Sequence, residues 1–544
     1  MGEKVQRNAV GAGIRISAGK LVCALITGFL FAFSLVFGPA YIADQTPVLS
    51  HGGSYAKLLP LWVVTSVSVF FLWEGADRLG SRRGKPSPIL TGKRSVLLWG
   101  LLMLCRLPFY LACFPGFFTY DAGTALIQVL YEDVAYSTQN PLLHTLLLGG
   151  VIKAVWELTG SYNAGVAVFC VGQMAFCTLV YTCIIRTLDR RVGSRGITVF
   201  AILYYALLPT ITLLSFCTTK DTLSGHLMVL FLLWFEELFA PGDEGARMGK
   251  LQVSGFVLLE ALMLLSRKNL PIAFAVFFVV QLFFRKKDLL RRTAVLLLGC
   301  LLAFGVNRAL EWRLQPEEGS IAEAFSVPAC QLARVYREYG ESAFSEEEWE
   351  LLDRYIYIVN PYYPFNADQI KSGFKETIDQ RPGGFLKLWA KVGLRYPEEY
   401  LDAFLALTAE AWYPFTDIDG YCRTDYAGIK GGTDYFMCII EEPASLHSLL
   451  PGLFDVIWHF SREMSLWKIP VLGFFLSVGG QLWCWIFAAG YAISRRRKEL
   501  YPVFALIAGL IFTNFMGPIV LVRYYLILYL MLPVFVGTIG KQRE

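Results

Sequence analysis

The chain alternates between long apolar runs and short polar loops over most of its 544 residues. A helix needs about 20 mostly apolar residues to cross the hydrocarbon core of a bilayer. Twelve runs reach or approach that length, and we expect a transmembrane helix in each of them: 21–43, 57–75, 95–113, 163–185, 196–216, 222–240, 251–266, 270–284, 292–309, 466–492, 501–520 and 523–540. The pattern therefore predicts an all-α polytopic membrane protein.

Basic residues in the short loops orient these helices, because Lys and Arg concentrate on the cytoplasmic side of a membrane. Such residues cluster at 4–20, 78–94, 186–195, 285–292 and 495–498. The clusters predict a multi-pass protein of the cell membrane with both termini in the cytoplasm. The stretch FPGFFTYD, which follows the third run and ends at Asp121, then faces the outside.

The apolar stretch 141–158 does not fit this alternation as a membrane span. If it crossed the bilayer, the four arginines between positions 186 and 195 would lie outside. We therefore expect an interfacial helix on the outer surface, with its apolar residues partly buried in the headgroup region.

The polar segment 310–465 interrupts the apolar pattern. Ser345 is followed three residues later by Glu348 and then by periodic apolar residues, which is a capping-box signature for a helix start. Further helix-like stretches predict a mainly helical extracytoplasmic domain. The resulting organisation has four parts: two N-terminal transmembrane helices in 1–94, a transmembrane core with a first outer loop (114–160) in 95–309, the extracytoplasmic domain in 310–465, and three C-terminal transmembrane helices in 466–544.

Composition agrees with a membrane protein, since 55% of the residues are hydrophobic and only 17% are charged, against about 25% in soluble domains. The net charge of +5 does not indicate a nucleic-acid partner, because the basic residues lie in loops between apolar runs. The twelve cysteines lack metal-ligand spacing, and a disulfide between Cys422 and Cys438 stays open.

The outward-facing polar residues suggest a chemistry. They comprise one acid near the third run and several cations on other loops: Asp121, Lys220, Asp221, Arg267, Lys268 and Arg523. A sugar carried on a lipid phosphate leaves a phosphate anion, which Lys and Arg stabilise without a general acid. The acceptor hydroxyl needs one carboxylate as base, whereas a glycoside hydrolase would need two cooperating carboxylates.

Each of these side chains also fits a structural role. Asp121 could cap the helix that follows it, and Lys220 with Asp221 could be an ordinary ion pair at a helix start. Arg523 could contact a lipid headgroup, and His144 could be a packed histidine.

Several short motifs resemble the GT-C class of membrane glycosyltransferases, which use polyprenyl-phosphate-linked sugars. They are PGFFTYD with its acid, QNPLLHTLLLGG with its proline at the start of an amphipathic helix, TTKD, LSRKN and RYYLILYLMLP. The stretches PACQLARVYREYG, YYPFNADQIK and YPEEYLDAFLALTAEAWYPF are most similar to a group of bacterial, mainly Gram-positive, membrane proteins related to that class.

The resemblance implies roles for individual residues. Asp121 would be the general base, and the donor phosphate would be held by Lys220, Arg267, Lys268 and Arg523. Acceptor or sugar contacts would come from Asn140, His144, Tyr363, Trp412 and Tyr413. Asn140 stands where the class often has His or Lys. The class's paired Asp-X-Asp is missing around Asp121, so a divalent metal, Mg²⁺ or Mn²⁺, stays an open alternative to a site without metal.

We therefore expect an integral membrane glycosyltransferase that inverts the anomeric centre on the outer face. Its donor would be a hexose or pentose on a polyprenyl phosphate, and its acceptor a cell-envelope glycan, teichoic polymer or lipid. Two other classes stay open: a transporter or flippase of an anionic lipid or glycolipid, and a non-catalytic partner in envelope assembly.

Overall fold

The computed structural model describes residues 18–44, 48–50, 52–81, 88–118, 121–239, 249–284, 288–358, 362–416, 448–463 and 466–538. Within these ranges the secondary structure is helical, and extended segments pair only as isolated β-bridges. Cys422 and Cys438 lie outside the described residues, so their predicted pairing is not addressed.

The first part of the chain is built from long helices joined by short loops. They are α1 (Ala18–Ile42), α2 (Gly52–Ser81), α3 (Gly92–Ala112), α4 (Ala122–Leu130), α5 (Leu142–Thr159), α6 (Tyr162–Val192), α7 (Arg195–Leu207), α8 (Pro209–Leu214), α9 (Lys220–Leu238), α10 (Lys250–Ser266), α11 (Leu270–Phe284) and α12 (Leu289–Leu314).

Shorter helices form the predicted polar domain, and apolar helices follow it. The domain contains α13 (Ser326–Tyr339), α14 (Glu346–Tyr355), α15 (Asp368–Lys371), α16 (Thr377–Gln380), α17 (Pro382–Arg395), α18 (Pro397–Leu407) and α19 (Ala409–Trp412). The C-terminal part contains α20 (Pro451–Glu463), α21 (Pro470–Leu476), α22 (Val478–Ser494), α23 (Tyr501–Phe515) and α24 (Leu526–Thr538).

Among the described helices, seven segments are long and apolar enough to cross a membrane, or eight if α21 and α22 form one bent span. They are Ala18–Ile42, Gly52–Arg78, Gly92–Ala112, Leu142–Thr159, Tyr162–Val192, Leu289–Leu314 and Lys498–Phe515. Large apolar side chains stay exposed on all seven segments, for example Leu59, Leu97 and Leu301. These surfaces indicate contact with a lipid bilayer, and the chain is a membrane protein; the described residues contain seven or eight candidate long spans, so the count of twelve stays a prediction.

Two predicted spans are interrupted, and each interruption has a local cause. The run 196–216 breaks at Leu208, because the residue before a proline is disfavoured in the α conformation and Pro209 starts the next helix. The run 466–492 bends by 78° between α21 and α22. Ser477 lies at that bend and caps α22, since its hydroxyl accepts a hydrogen bond from the Gly480 amide at 3.0 Å.

The basic segments gather at one end of the helical bundle. The Asp189 carboxylate, near the end of α6, accepts hydrogen bonds from the Ile89 and Leu90 amides at 2.7 and 2.8 Å. Arg190 pairs with Glu237 near the end of α9. Lys20, Glu74, Asp77 and Arg495 form a further ion cluster where α1 begins and α2 and α22 end.

Helix α5 starts and finishes near the opposite end of the bundle. Helix α6 follows it after two residues, and α6 passes Gly116, at Cys170, before it reaches the basic end at Asp189. The chain must therefore be at the opposite end when α5 finishes. This course is what an interfacial helix requires, although the length and composition of α5 would also suit a span.

The polar domain has its own apolar core and docks on the first helices. The predicted capping box at α14 is confirmed, with Ser345 and Glu348 exchanging hydrogen bonds of 3.0 and 3.3 Å.

The residues that dock the polar domain on the first helices form a cluster, which we call the docking cluster. It comprises Tyr41, Val48, Arg334, Glu399 and Asp402. Arg334 pairs with Glu399 at 2.8 Å and with Asp402 at 3.1 Å, while Tyr41 donates to Asp402 at 2.6 Å.

Candidate functional site

Two loops meet where α3 ends and α9 begins. The Phe117 amide donates to the Phe216 carbonyl at 3.0 Å, and the Thr218 amide donates to the Phe117 carbonyl at 2.9 Å. Gly116 has a φ of 118°, and a Cβ there would meet the Cys170 sulfur at 2.4 Å. Only glycine suits this position, because it combines the left-handed backbone with the close approach of α6. The pairing brings the segment before Asp121 beside the segment before Lys220.

Asp121 occupies the N-cap position of α4, but its side chain makes no capping hydrogen bond. Its carboxylate instead accepts a hydrogen bond from the Lys220 ammonium at 2.5 Å. Lys220 donates a second hydrogen bond to the side-chain oxygen of the buried Asn140. Burial raises the pKa of Asp121, but the charges of Lys220 and Arg523 outweigh it and hold that pKa below its ordinary value. The carboxyl is therefore ionised at neutral pH.

Asp221 pairs with a second set of cations. Its carboxylate is fully buried and lies 3.2 Å from the Arg267 guanidinium and 3.6 Å from that of Arg523. Both guanidinium groups stack on the ring of Tyr524, each 4.8 Å from its centroid. Arg267 also donates to the side-chain oxygen of Asn514 at 3.2 Å. A buried acid that is paired in this way holds the planes of two arginines in a fixed arrangement.

His144 is buried beside these charges. It interacts electrostatically with Asp121, Lys220 and Asp221, and its ring bonds to the Thr218 backbone. The Nε2 atom of His144 has no hydrogen-bond partner among the described residues. A buried polar atom of this kind needs a partner such as water or a ligand.

Lys268 extends the positive charge toward the membrane-facing side. Burial lowers the pKa of Lys268, and the like charge of Lys220 lowers it further. We call the six residues Asp121, Lys220, Asp221, Arg267, Lys268 and Arg523 the rim cluster.

A groove of about 410 Å³ opens beside the rim cluster. Its walls are mostly apolar side chains from α10, α11 and α12, including Leu264, Phe274 and Phe304. Its polar lining residues are Thr138, Asn140, Arg267, Lys268, Asn307 and Glu311, and Phe304 is largely exposed on α12. The groove thus combines mostly apolar walls with polar groups that include two cations and one carboxylate.

The structure brings together Asp121, Asn140, His144, Lys220, Arg267, Lys268 and Arg523 of the sequence-predicted site residues. It places the remaining three in other surroundings. Trp412 packs between the N-terminal and C-terminal helices, where its carbonyl accepts from Ser34 and Trp483, each at 2.7 Å. Tyr413 fills the space beside Gly38 of α1. Tyr363 is exposed in the polar domain near Asn366.

Three contributors were not assigned a role from the sequence: Asp221 as the anchor of the arginines, Tyr524 as their stacking platform and Asn514 as a bridge. Asn514 bonds Arg267, Asn269 and the Tyr524 backbone, at 2.9–3.3 Å. A lone asparagine at the end of the apolar run 501–520 was the available signal, because polar residues near the end of a span usually have a partner. Within the described ranges, no group of three or more His, Cys, Asp or Glu side chains is placed to hold a metal ion.

The chain belongs to a family of unknown function, DUF6020, whose model matches residues 131–543. The matched range includes every rim-cluster residue except Asp121. No curated protein and no solved structure matches the chain.

Proposed function

We propose that this member of the DUF6020 family is a membrane glycosyltransferase that takes its sugar from a polyprenyl-phosphate donor. The observation that carries the proposal is the rim cluster beside a groove with mostly apolar walls, which Arg267 and Lys268 also line. The cluster has four cations and two carboxylates, so its net charge is +2 with His144 neutral. A lipid phosphate would fit both the groove and the rim cluster, because its lipid chain would lie in the groove and its phosphate would contact the cations.

Asp121 would accept the proton of the acceptor hydroxyl. The acceptor oxygen bonds to the anomeric carbon from the face opposite the phosphate, while the bond from that carbon to the phosphate oxygen breaks. The electron pair of this bond leaves with the lipid phosphate, and the configuration inverts. The acceptor's proton moves to the Asp121 carboxylate, which is ionised beforehand and needs no activation.

The cations would stabilise the charge that grows on the leaving phosphate. Arg267 and Lys268 line the groove itself, and Lys220 reaches toward it through Asn140. Arg267 is held in place before the reaction by Asp221 and Asn514, and Lys220 is held by Asp121 and Asn140. Such preorganisation stabilises developing charge without reorganisation during the reaction. The acceptor would be a component of the cell envelope, reached on the outer face of the membrane.

The test uses the full chain in liposomes with a short-chain polyprenyl-phosphate hexose and an envelope extract as acceptor source. We expect release of polyprenyl phosphate and a new glycosylated product by mass spectrometry. Asp121→Asn should lower turnover by about 10²–10⁴-fold while it retains donor binding. The matched control is Asp133→Asn, an exposed acid in the same loop, which should leave turnover unchanged.

The same experiment separates the alternatives. A transporter or flippase would move the labelled lipid between leaflets without releasing polyprenyl phosphate. A non-catalytic assembly partner would give no product, and Asp121→Asn would have no consequence for it. Turnover that survives Asp121→Asn at the level of Asp133→Asn would reject the assignment of the base.

A further inference from the structure

The segment 137–140 separates the apolar groove from a second cavity. Ser137 forms a parallel β-bridge with Glu317, just after α12. The Thr138 amide donates to the Glu317 carbonyl at 2.9 Å, and the Glu317 amide donates to the Tyr136 carbonyl at 2.8 Å. The chain turns after this bridge, and Thr138 and Asn140 line the apolar groove, whereas Gln139 lines the second cavity.

The second cavity has a volume of about 350 Å³ and lies between this segment and the polar domain. This volume falls within the range of small-molecule sites, about 300–1,000 Å³. Its lining includes side chains of both charges, the amide of Gln139 and the hydroxyl of Ser320, together with one aromatic and two aliphatic side chains, Phe374, Ala322 and Ile378.

The two lysines of the lining are already paired with carboxylates. Lys371 pairs with Glu323 at 2.6 Å and with Asp368 at 2.8 Å. Lys375 pairs with Asp353 at 3.1 Å. A polyanion would therefore find paired lysines and additional carboxylates in this cavity, in contrast to the net positive rim cluster. The charge distribution favours an uncharged ligand.

The remaining groups suit hydroxyls. Carboxylates accept hydrogen bonds, and amides both accept and donate them. A sugar hydroxyl can act as the donor to the first and as either partner of the second. Phe374 packs against Phe385, with ring centroids 5.3 Å apart, and is held as a fixed apolar wall of the cavity. A wall of this kind can pack against the C–H face of a sugar ring while the ring hydroxyls bond to the polar residues.

The second cavity lies within range of electrostatic interaction with the rim cluster. Lys268 interacts with both Lys220 and Glu323, so it lies within range of each. In addition, Gln139 is adjacent to Asn140, which holds Lys220, which in turn holds Asp121. The two cavities thus share the segment 137–140 as a dividing wall, and Asn140 of that wall connects through Lys220 to the base.

We propose that this second cavity is the acceptor subsite and that it takes the uncharged, hydroxyl-rich end of a saccharide. The inference rests on the proposed transferase function and narrows its acceptor to a glycan rather than a lipid or a charged polymer. The apolar groove would then supply the donor from the bilayer, while the acceptor arrives from the aqueous side beneath the polar domain.

The experiment measures saccharide binding to the full chain in nanodiscs, without donor, by saturation-transfer NMR. The probes are uncharged di- and trisaccharides of glucose, galactose and N-acetylglucosamine, with a glycerol-phosphate oligomer as the charged comparison. At least one uncharged saccharide should bind, and the double variant Gln139→Ala/Glu376→Ala should weaken it at least tenfold. The single variant Glu376→Ala, at an exposed position, should show part of this loss and guards against misfolding of the double variant.

One control places the site. Glu350→Ala, an exposed acid elsewhere in the polar domain, should leave binding unchanged. Equal saccharide binding by the wild type and the double variant overturns the inference. So does binding confined to the charged oligomer.

Failure of this inference and failure of the proposed function look different. Turnover with a lipid or charged acceptor, combined with no binding of uncharged saccharides, would refute the subsite and keep the transferase. Saccharide binding that Gln139→Ala/Glu376→Ala abolishes, in a protein without any turnover, would keep the subsite as a binding site and refute the transferase.

Discussion

The rim cluster and the docking cluster contain the same ingredients, buried carboxylates and arginines, yet they differ in how completely their polar atoms are used. In the docking cluster, both oxygens of Asp402 are occupied, by the Tyr41 hydroxyl, the Val48 amide and Arg334. In the rim cluster, the side chain of Asp121 remains 51% exposed and bonds to Lys220. The docking cluster joins two packed surfaces, whereas the rim cluster borders the apolar groove.

The difference teaches that charge alone does not mark a functional site. A buried polar network whose carboxylates are paired fixes one arrangement of the elements that it joins. A network with an exposed carboxylate, an unpartnered histidine nitrogen and an adjacent cavity has capacity left for a ligand. The comparison therefore predicts losses of stability at one cluster and losses of activity at the other.

The largest effect on stability is expected from Arg334→Met in the docking cluster. The substitution leaves Glu399 and Asp402 buried without their cation, which costs about 3–5 kcal/mol in comparable sites. Thermal unfolding in one detergent, monitored by tryptophan fluorescence, should show a large fall in Tm. The matched control is Arg337→Met, whose pair with Asp44 is solvent-exposed and should contribute about 1 kcal/mol or less. Equal shifts in the two variants would contradict the distinction.

The next effect concerns the pH dependence of activity. Lys220 keeps the pKa of Asp121 below its ordinary value, so the base stays ionised and activity stays flat as pH falls toward that pKa. In Lys220→Met the pKa rises, because burial is no longer opposed by this charge. The acid limb of the kcat/KM profile should therefore move to higher pH.

Lys268→Met is the control for this profile. Its ammonium lines the groove and makes no hydrogen bond to Asp121 among the described contacts. It should raise KM for the donor and leave the acid limb in place. An unmoved acid limb in Lys220→Met would show that Asp121 does not titrate as the base.

The smallest effect is expected at a helix start in the polar domain, away from both clusters. Ser345→Ala removes the N-cap of α14 and should lower the free energy of unfolding by about 1 kcal/mol. Ser342→Ala, at an exposed serine that is no N-cap, should change it by about 0.5 kcal/mol or less. Urea unfolding in a fixed detergent concentration compares the two, and a larger loss in Ser342→Ala would be inconsistent with the capping argument.

Local signals predicted the helices well, and they failed where packing decides. The capping box at Ser345 depends on four consecutive residues, so the sequence alone predicted it. The interruption at Pro209 was equally local, although the apolar composition of 196–216 concealed it. Trp412 and Tyr413 looked like sugar-stacking aromatics, but their surroundings come from α1 and α22, more than 60 residues away in each direction.

The sequence by itself determined that the chain enters a membrane, where its polar domain begins and which cations interrupt the apolar pattern. These properties follow from composition and helical periodicity, which act over a few turns of chain. Only the tertiary structure decided that Lys220 bonds to Asp121, 99 residues away, and that Asp221 anchors Arg267 and Arg523. Such contacts depend on how helices pack and on which polar atoms that packing leaves to be satisfied, and no local pattern encodes them.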